Sequence, residues 1–152
     1  MMRLLILNGP NLNLLGQRET DVYGTASLDE IVAQVKETVQ PFGYEVEDFQ
    51  SNHEGELIDR LHVSKGKVEG IIFNPAAYTH TSIAIRDAIS AIETPVIEVH
   101  LSNVHKREAF RHQSLIAPVC EGQIVGLGIQ GYRLAALALV EKAKSEGRNN
   151  HV

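Results

Sequence analysis

The chain's 152 residues fit one domain, long enough to bury a substantial core, and 22% charged with 43% hydrophobic residues is an ordinary globular balance. A formal net charge of −5 with no basic stripe argues against a DNA or RNA partner. Cys120 stands alone, which excludes an intrachain disulfide and a multi-cysteine metal site and fits a reducing compartment.

Leu4 to Leu7 reads as a buried strand stopped by Asn8-Gly9-Pro10, and the run is too short for a signal-peptide core. Ser27 and Glu30 form a capping-box pair. Behind them Leu28, Ile31, Val32, Val35, Val39 and Phe42 give the apolar face of a helix ending at Gly43. Tyr44 to Gln50 is a second, more polar strand. A weaker helix covers residues 55–65, with Leu57, Ile58 and Leu61 inward. Gly70 to Phe73 is a third strand, followed by a helix that uses Ile85, Ala88, Ile89 and Ile92. Pro95 to Leu101 is a fourth strand, and a short one over 124–127 leads into a closing helix over 130–146. The longest apolar stretch, Leu134 to Val140, falls far short of a membrane span, so no membrane partner and a cytoplasmic location are expected. The chain thus reads as a single domain over 1–152, with 145–152 a disordered or frayed tail.

Alternating strands and helices at this spacing imply a doubly wound α/β fold with a five-stranded parallel sheet. The first and third strands are continuous apolar runs suited to the centre, whereas Glu45, Glu47 and Asp48 suit the second to an edge. The order 2-1-3-4-5 meets these demands and places a ligand crevice between strands 1 and 3.

Polar residues gather after strands 1, 3 and 4: Asn8 to Asn13, Asn74 to His80, and Glu98 to Asn103. At a switch point these three segments converge on one pocket. Glu98 and His100, two apart on a strand, share a face. A carboxylate there can fix the imidazole tautomer and raise its pKa, making a proton donor near neutral pH. Gly16 and Gly24 bracket a long polar segment that suits a lid carrying Arg18 and Tyr23, although a solvated loop has the same composition. Ionising a free tyrosine of pKa ~10 at pH 7 costs about 4 kcal/mol, which a neighbouring guanidinium offsets. A helical turn over 106–112 puts Arg107 and Arg111 on one face, where one of them could clamp a carboxylate or both could simply be solvated. Gly126-Leu-Gly-Ile-Gln-Gly131 matches a dinucleotide fingerprint but lacks the following acidic strand, so it reads as close packing of the last helix. The seven histidines include no metal-binding spacing, and no flavin-phosphate hydroxyls follow strand 1. No metal and no cofactor are expected.

The motifs Asn8-Gly-Pro-Asn-Leu-Asn-Leu-Leu-Gly-Gln-Arg18, Tyr23-Gly24, Ser51-Asn-His-Glu-Gly-Glu-Leu-Ile-Asp59, Asn74-Pro-Ala-Ala-Tyr-Thr-His80 and Glu98-Val-His-Leu-Ser-Asn103 together resemble the type II 3-dehydroquinate dehydratases. The resemblance covers nearly the whole chain. It implies a flavodoxin-like fold and metal-free trans dehydration of 3-dehydroquinate to 3-dehydroshikimate through an enolate, in the shikimate pathway. By match of motif, Tyr23 resembles the general base at C2 and Arg18 the residue that keeps it ionised. Asn11 resembles the holder of a water at the enolate, and His100, oriented by Glu98, the acid at the C1 hydroxyl. Asn74, His80, Leu101, Ser102 and Arg111 resemble substrate contacts. Asp87 is implied to reach a neighbour's site in a dodecamer of trimers. Arg107 receives no role. All six lysines fall in expected helices or polar turns, so imine chemistry has no obvious amine. Fold alone admits two rivals, a flavin- or nucleotide-binding module and a non-catalytic scaffold.

Overall fold

A computed structural model describes residues 2–147; the segment 148–152, most of the expected tail, lies outside the described residues. Five parallel strands form one sheet in the order β2-β1-β3-β4-β5, as the polarity of the strands predicts. They are β1 (Met2–Asn8), β2 (Tyr44–Gln50), β3 (Gly70–Asn74), β4 (Val96–His100) and β5 (Gly122–Val125). The helices are a single turn α1 (Thr20–Tyr23), then α2 (Leu28–Val39), α3 (Glu54–Ser64), α4 (Ile83–Ile92) and α5 (Gln130–Ser145).

Period-two alternation divides the core between the two faces of the sheet. Leu4 and Ile6 face α2 and α5, packing with Ile31, Val35, Tyr132 and Leu139. Leu5 and Leu7 face α3 and α4, packing with Leu57, Leu61, Ile85 and Ile89. Ser27 caps α2 in a complete capping box, which satisfies two of the free amides at the helix start. The apolar stripe of α2 stops at Val39, however. Pro41 follows in a tighter 3-10 turn over Gln40–Phe42, and Phe42 swings out to 46% exposure instead of joining the core.

The register levels the strand ends. Asn8 pairs with both Gln50 and Asn74, so the loops after β1, β2 and β3 leave the sheet at one height, with β4 beside them. The two central loops then approach closely: Gly9 N–H donates to the Asn74 carbonyl at 2.7 Å, and a Cβ on Gly9 would lie 2.5 Å from the Pro75 carbonyl oxygen. Only glycine permits that approach. Gly131 serves the packing that its motif suggested, since a Cβ there would press on Val99 and Ile124 beneath the start of α5. Among the described residues no helix is long and apolar enough to cross a membrane.

Candidate active site

A cleft of about 620 Å³, mouth included, opens over the carboxyl ends of β1, β3 and β4. Its wall contains Asn11, Arg18, Tyr23, Asn74, His80, His100, Leu101, Ser102 and Arg111, nine of the residues singled out from the sequence. Pro10, Leu12, Ala76, Ala77, Val104 and Arg107 complete it. Glu98 sits behind His100. Asp87 does not line the cleft of its own chain; it is exposed on α4.

Tyr23 ends the single turn α1, inside the glycine-bracketed segment whose composition suits a lid or a solvated loop. Arg18 stacks with its guanidinium carbon 5.0 Å from the ring centroid and pairs with Glu19. The group at the phenol oxygen is Arg107, whose Nη1 donates to Tyr23 Oη at 2.9 Å and to Ser102 Oγ at 3.3 Å. Its own guanidinium lies 5.2 Å from the ring centroid, so two positive charges flank one aromatic ring. The helix expected over 106–112 does not form. Two 3-10 turns, Val104–Lys106 and Ala109–Arg111, are separated by extended backbone at Arg107 and Glu108. The segment lacks the length and apolar stripe that repay a helical nucleus. Arg107 and Arg111 reach the cleft from consecutive turns and not from one helical face.

His100 and Glu98 adopt the side-by-side arrangement that their spacing predicts, with His100 Nε2 2.6 Å from Glu98 Oε2. Glu98 has no exposed surface. Four donors satisfy it: His100, Thr79 Oγ1, Ser114 Oγ at 2.8 Å and Gln123 Nε2 at 3.0 Å. Burial opposes its ionisation, but the hydrogen bond and charge of His100, then Thr79 and Ser114, outweigh that cost and hold the carboxyl below its ordinary range. Opposite stands His80, its ring centroid 6.4 Å from that of His100. Burial lowers the His80 pKa, opposed by its hydrogen bond to the Gln113 carbonyl, so near pH 7 it enters the cleft neutral. Its Nδ1–H donates to that carbonyl at 2.8 Å, which leaves Nε2 for a ligand.

Asn11 holds a left-handed backbone, φ 69°, a conformation asparagine tolerates better than most residues. Its N–H donates to Asn52 Oδ1 at 2.9 Å, and Gln50 Nε2 donates to the Gly9 carbonyl at 3.1 Å. Tyr78 Oη donates to the Asn52 carbonyl at 2.8 Å, tying the loops after β1, β2 and β3 together. Within the Ser51–Asp59 motif, Asn52 thus links the three loops. The available signal was the polar end of an otherwise ordinary edge strand. Thr79 lies in the polar segment from Asn74 to His80, whereas Ser114 and Gln123 carry no comparable signal. Burial, with the charges of Glu98 and Glu121, pushes the Cys120 thiol up to about 12, which disfavours the nucleophilic thiolate.

A convergent polar cleft with a paired histidine, a doubly flanked tyrosine and no lysine in its wall suits proton transfer to and from a small anionic carbon acid. The comparisons agree with that chemistry. Residues 2–140 match the family model described as dehydroquinase class II. A 3-dehydroquinate dehydratase of Anoxybacillus flavithermus is 55% identical over 148 residues, covering 97% of this chain and all of that protein. Two type II dehydroquinase crystal structures superpose with TM-scores of 0.88. That from Butyrivibrio crossotus is 48% identical and covers 91% of this chain and 97% of its own. That from Propionibacterium acnes is 40% identical and covers 93% and 97%. Sheet order, cleft and sequence lead to one assignment: the chain belongs to the class II dehydroquinases.

Proposed function

We propose that the cleft removes water from 3-dehydroquinate to give 3-dehydroshikimate, the shikimate-pathway reaction of this family, with Tyr23 as base and His100 as acid. The observation that carries the reading is the pair of polar ends facing one cleft: a tyrosine oxygen held by Arg107 at 2.9 Å, and an imidazole held by Glu98 at 2.6 Å.

The ionised Tyr23 oxygen takes the proton from C2, next to the ketone. The C–H electron pair moves into the ring, and the ketone oxygen becomes an enolate. Arg107 and Arg18 stabilise the phenolate before this step, because a fixed positive charge lowers the energy of the anion it faces. A water held by the Asn11 loop donates to the enolate oxygen. On collapse, the C1–O bond breaks and His100 supplies the proton that turns the departing hydroxyl into water. His100 Nε2 is occupied by Glu98, so Nδ1 carries this proton. Tyr23 then returns its proton to solvent and His100 regains one. Asn74, neutral His80, Arg111 and the Leu101–Ser102 backbone bind the polar substituents and carboxylate of the substrate, with Arg111 able to engage a carboxylate through its planar fork. No step calls for an amine, and among the described residues no lysine lines the cleft.

The described residues act as one catalytic domain, working in the cytoplasm as a dodecamer of trimers in which Asp87 reaches a neighbouring cleft. Support for assembly comes from α4, where exposed Asp87 lies one turn beyond Ile83, itself 64% exposed, so that both share an outward face. Incubation with 3-dehydroquinate should give the ultraviolet absorbance of a conjugated enone, and a protein free of contaminants that leaves the substrate unchanged would end this reading.

A further inference from the structure

At the floor of the cleft, three buried polar side chains form a chain with one direction. Asn8 and Asn74 are cross-strand partners at the ends of β1 and β3, only 1% and 3% exposed. Between them lies the hydroxyl of Tyr132, which rises from the first turn of α5 and has no exposed surface. Asn74 Nδ2 donates to Tyr132 Oη at 3.0 Å, and Tyr132 Oη donates to Asn8 Oδ1 at 2.6 Å. Asn74 Oδ1 accepts from Ala76 N–H at 3.0 Å, in a turn where Ala76 takes the left-handed φ of 53°. Tyr132 has one proton and gives it to Asn8, so toward Asn74 it can only accept. Burial pushes its ionisation upward, which keeps that proton in place.

We propose that Tyr132 is a positioning residue for the substrate: its hydroxyl fixes the Asn74 amide so that the second Nδ2 proton is presented to the cleft, and the site selects ligands with an oxygen acceptor at that point. The inference deepens the dehydratase reading and rests on it for the identity of the ligand. Its physical basis is the cost of an unmade bond in a closed space. Asn74 has few ways to satisfy its amide, and one hydrogen on Nδ2 with one acceptance on Oδ1 hold the amide plane from both ends. The other Nδ2 proton has no partner among the described residues. Asn74 lines the cleft whereas Tyr132 does not, so Tyr132 acts only through Asn74.

Tyr132→Phe, made in the full chain, keeps the ring and its packing while removing the acceptor. KM for 3-dehydroquinate should rise about tenfold, the scale of one lost hydrogen bond, with kcat within about twofold of the parent. A structural role alone would lower thermal stability without this split. In an Asn74→Ala background the same change should have no further effect on KM, since its route is gone. An unchanged KM in Tyr132→Phe, or an equal KM increase in both backgrounds, overturns the proposal. Should Tyr132→Phe fail to fold, Asn8→Ala supplies the answer: it frees the hydroxyl proton to turn, so KM should rise by about threefold, and parental KM overturns the idea. Side-chain amide NMR with ¹⁵N-labelled asparagine separates this proposal from the dehydratase reading. If the parent does not turn over 3-dehydroquinate, the reaction has been misassigned. Even then, Asn74 side-chain resonances that shift and exchange faster in Tyr132→Phe uphold the positioning role, and resonances that stay put refute it.

Discussion

Tyr23 lines the cleft, and in the proposed mechanism its oxygen is the atom that takes the substrate proton. Tyr23→Phe keeps the ring, so substrate should still bind while turnover falls by ~10²–10⁴-fold or more. Deuterium exchange at C2 in heavy water checks the assignment directly; exchange at the parental rate in this variant would show that another group is the base. The geometry also ranks the two arginines. Arg107 donates to the oxygen, whereas Arg18 touches the ring face and shares its charge with Glu19. Arg107→Ala should therefore lower kcat at least as much as Arg18→Ala, and a clearly smaller loss at Arg107 reverses that ranking. Glu98 gives a different kind of prediction. Its pKa is lowered in the folded chain, so between the folded value and the unfolded one near 4.5 the unfolded state binds more protons. The stabilisation is complete above about pH 4.5 and is lost as pH falls through the folded value. Urea midpoints measured from pH 6 to pH 3 should fall for the parent and fall less for Glu98→Gln; parallel curves would remove Glu98 from the acid-labile groups.

The elements around the cleft differ in how firmly they are held. α2 has a complete capping box and a buried stripe, and the two loops at the switch point are pinned by the Gly9 contact with Pro75. The segment from Gly16 to Gly24 has less. It contributes only a four-residue helix with no buried residue, entered at Glu19 with φ 41° and no side-chain cap. It is held to the rest of the molecule through Tyr23, whose hydroxyl and ring both meet Arg107 and which packs against the core, while the contact of Arg18 with that ring lies within the segment. Segments with few buried contacts open most readily. Trypsin should therefore cut after Arg18 in the free protein, and a saturating product analogue should slow that cleavage by holding the lid down. Cleavage at the same rate with and without ligand would describe a segment that does not respond to the cleft. The expected helix over 106–112 shows the opposite lesson at this scale: charged residues at helical spacing do not make a helix without an apolar face to bury.

At the scale of the whole molecule, one sheet brings together segments that lie far apart in the chain, and copies of the chain are expected to complete one another's clefts. Ile83 and Asp87 share an outward face on α4, and Phe110, 66% exposed, lies in the loop that carries Arg107 and Arg111. Light scattering should report a symmetric homo-oligomer at assay concentration. Asp87→Ala should lower activity without lowering the stability of an isolated chain, because the carboxylate touches nothing in its own cleft. A fully active monomer, or an Asp87→Ala variant as active as the parent, argues against a shared site.

The order of the five strands, the four long helices and the three segments that meet at the cleft could be read from the sequence alone. Those features follow from local periodicity and from polar residues set at the ends of apolar strands, both of which are written in consecutive positions. Phe42 shows the limit even there, since a proline one residue earlier changes the turn and turns a stripe position outward. Only the tertiary structure decided that Arg107 and not Arg18 meets the Tyr23 oxygen, that Thr79, Ser114 and Gln123 satisfy Glu98, and that Tyr132 joins Asn8 to Asn74. Each of these is a hydrogen bond between side chains 16 or more residues apart, Arg107 and Tyr23 being 84 apart. Such bonds depend on ångström distances created when α5 closes on the sheet and the loop after β4 packs against the turn after β3. No periodicity in the chain encodes those distances, because they belong to the packing of separate elements and to none of them singly.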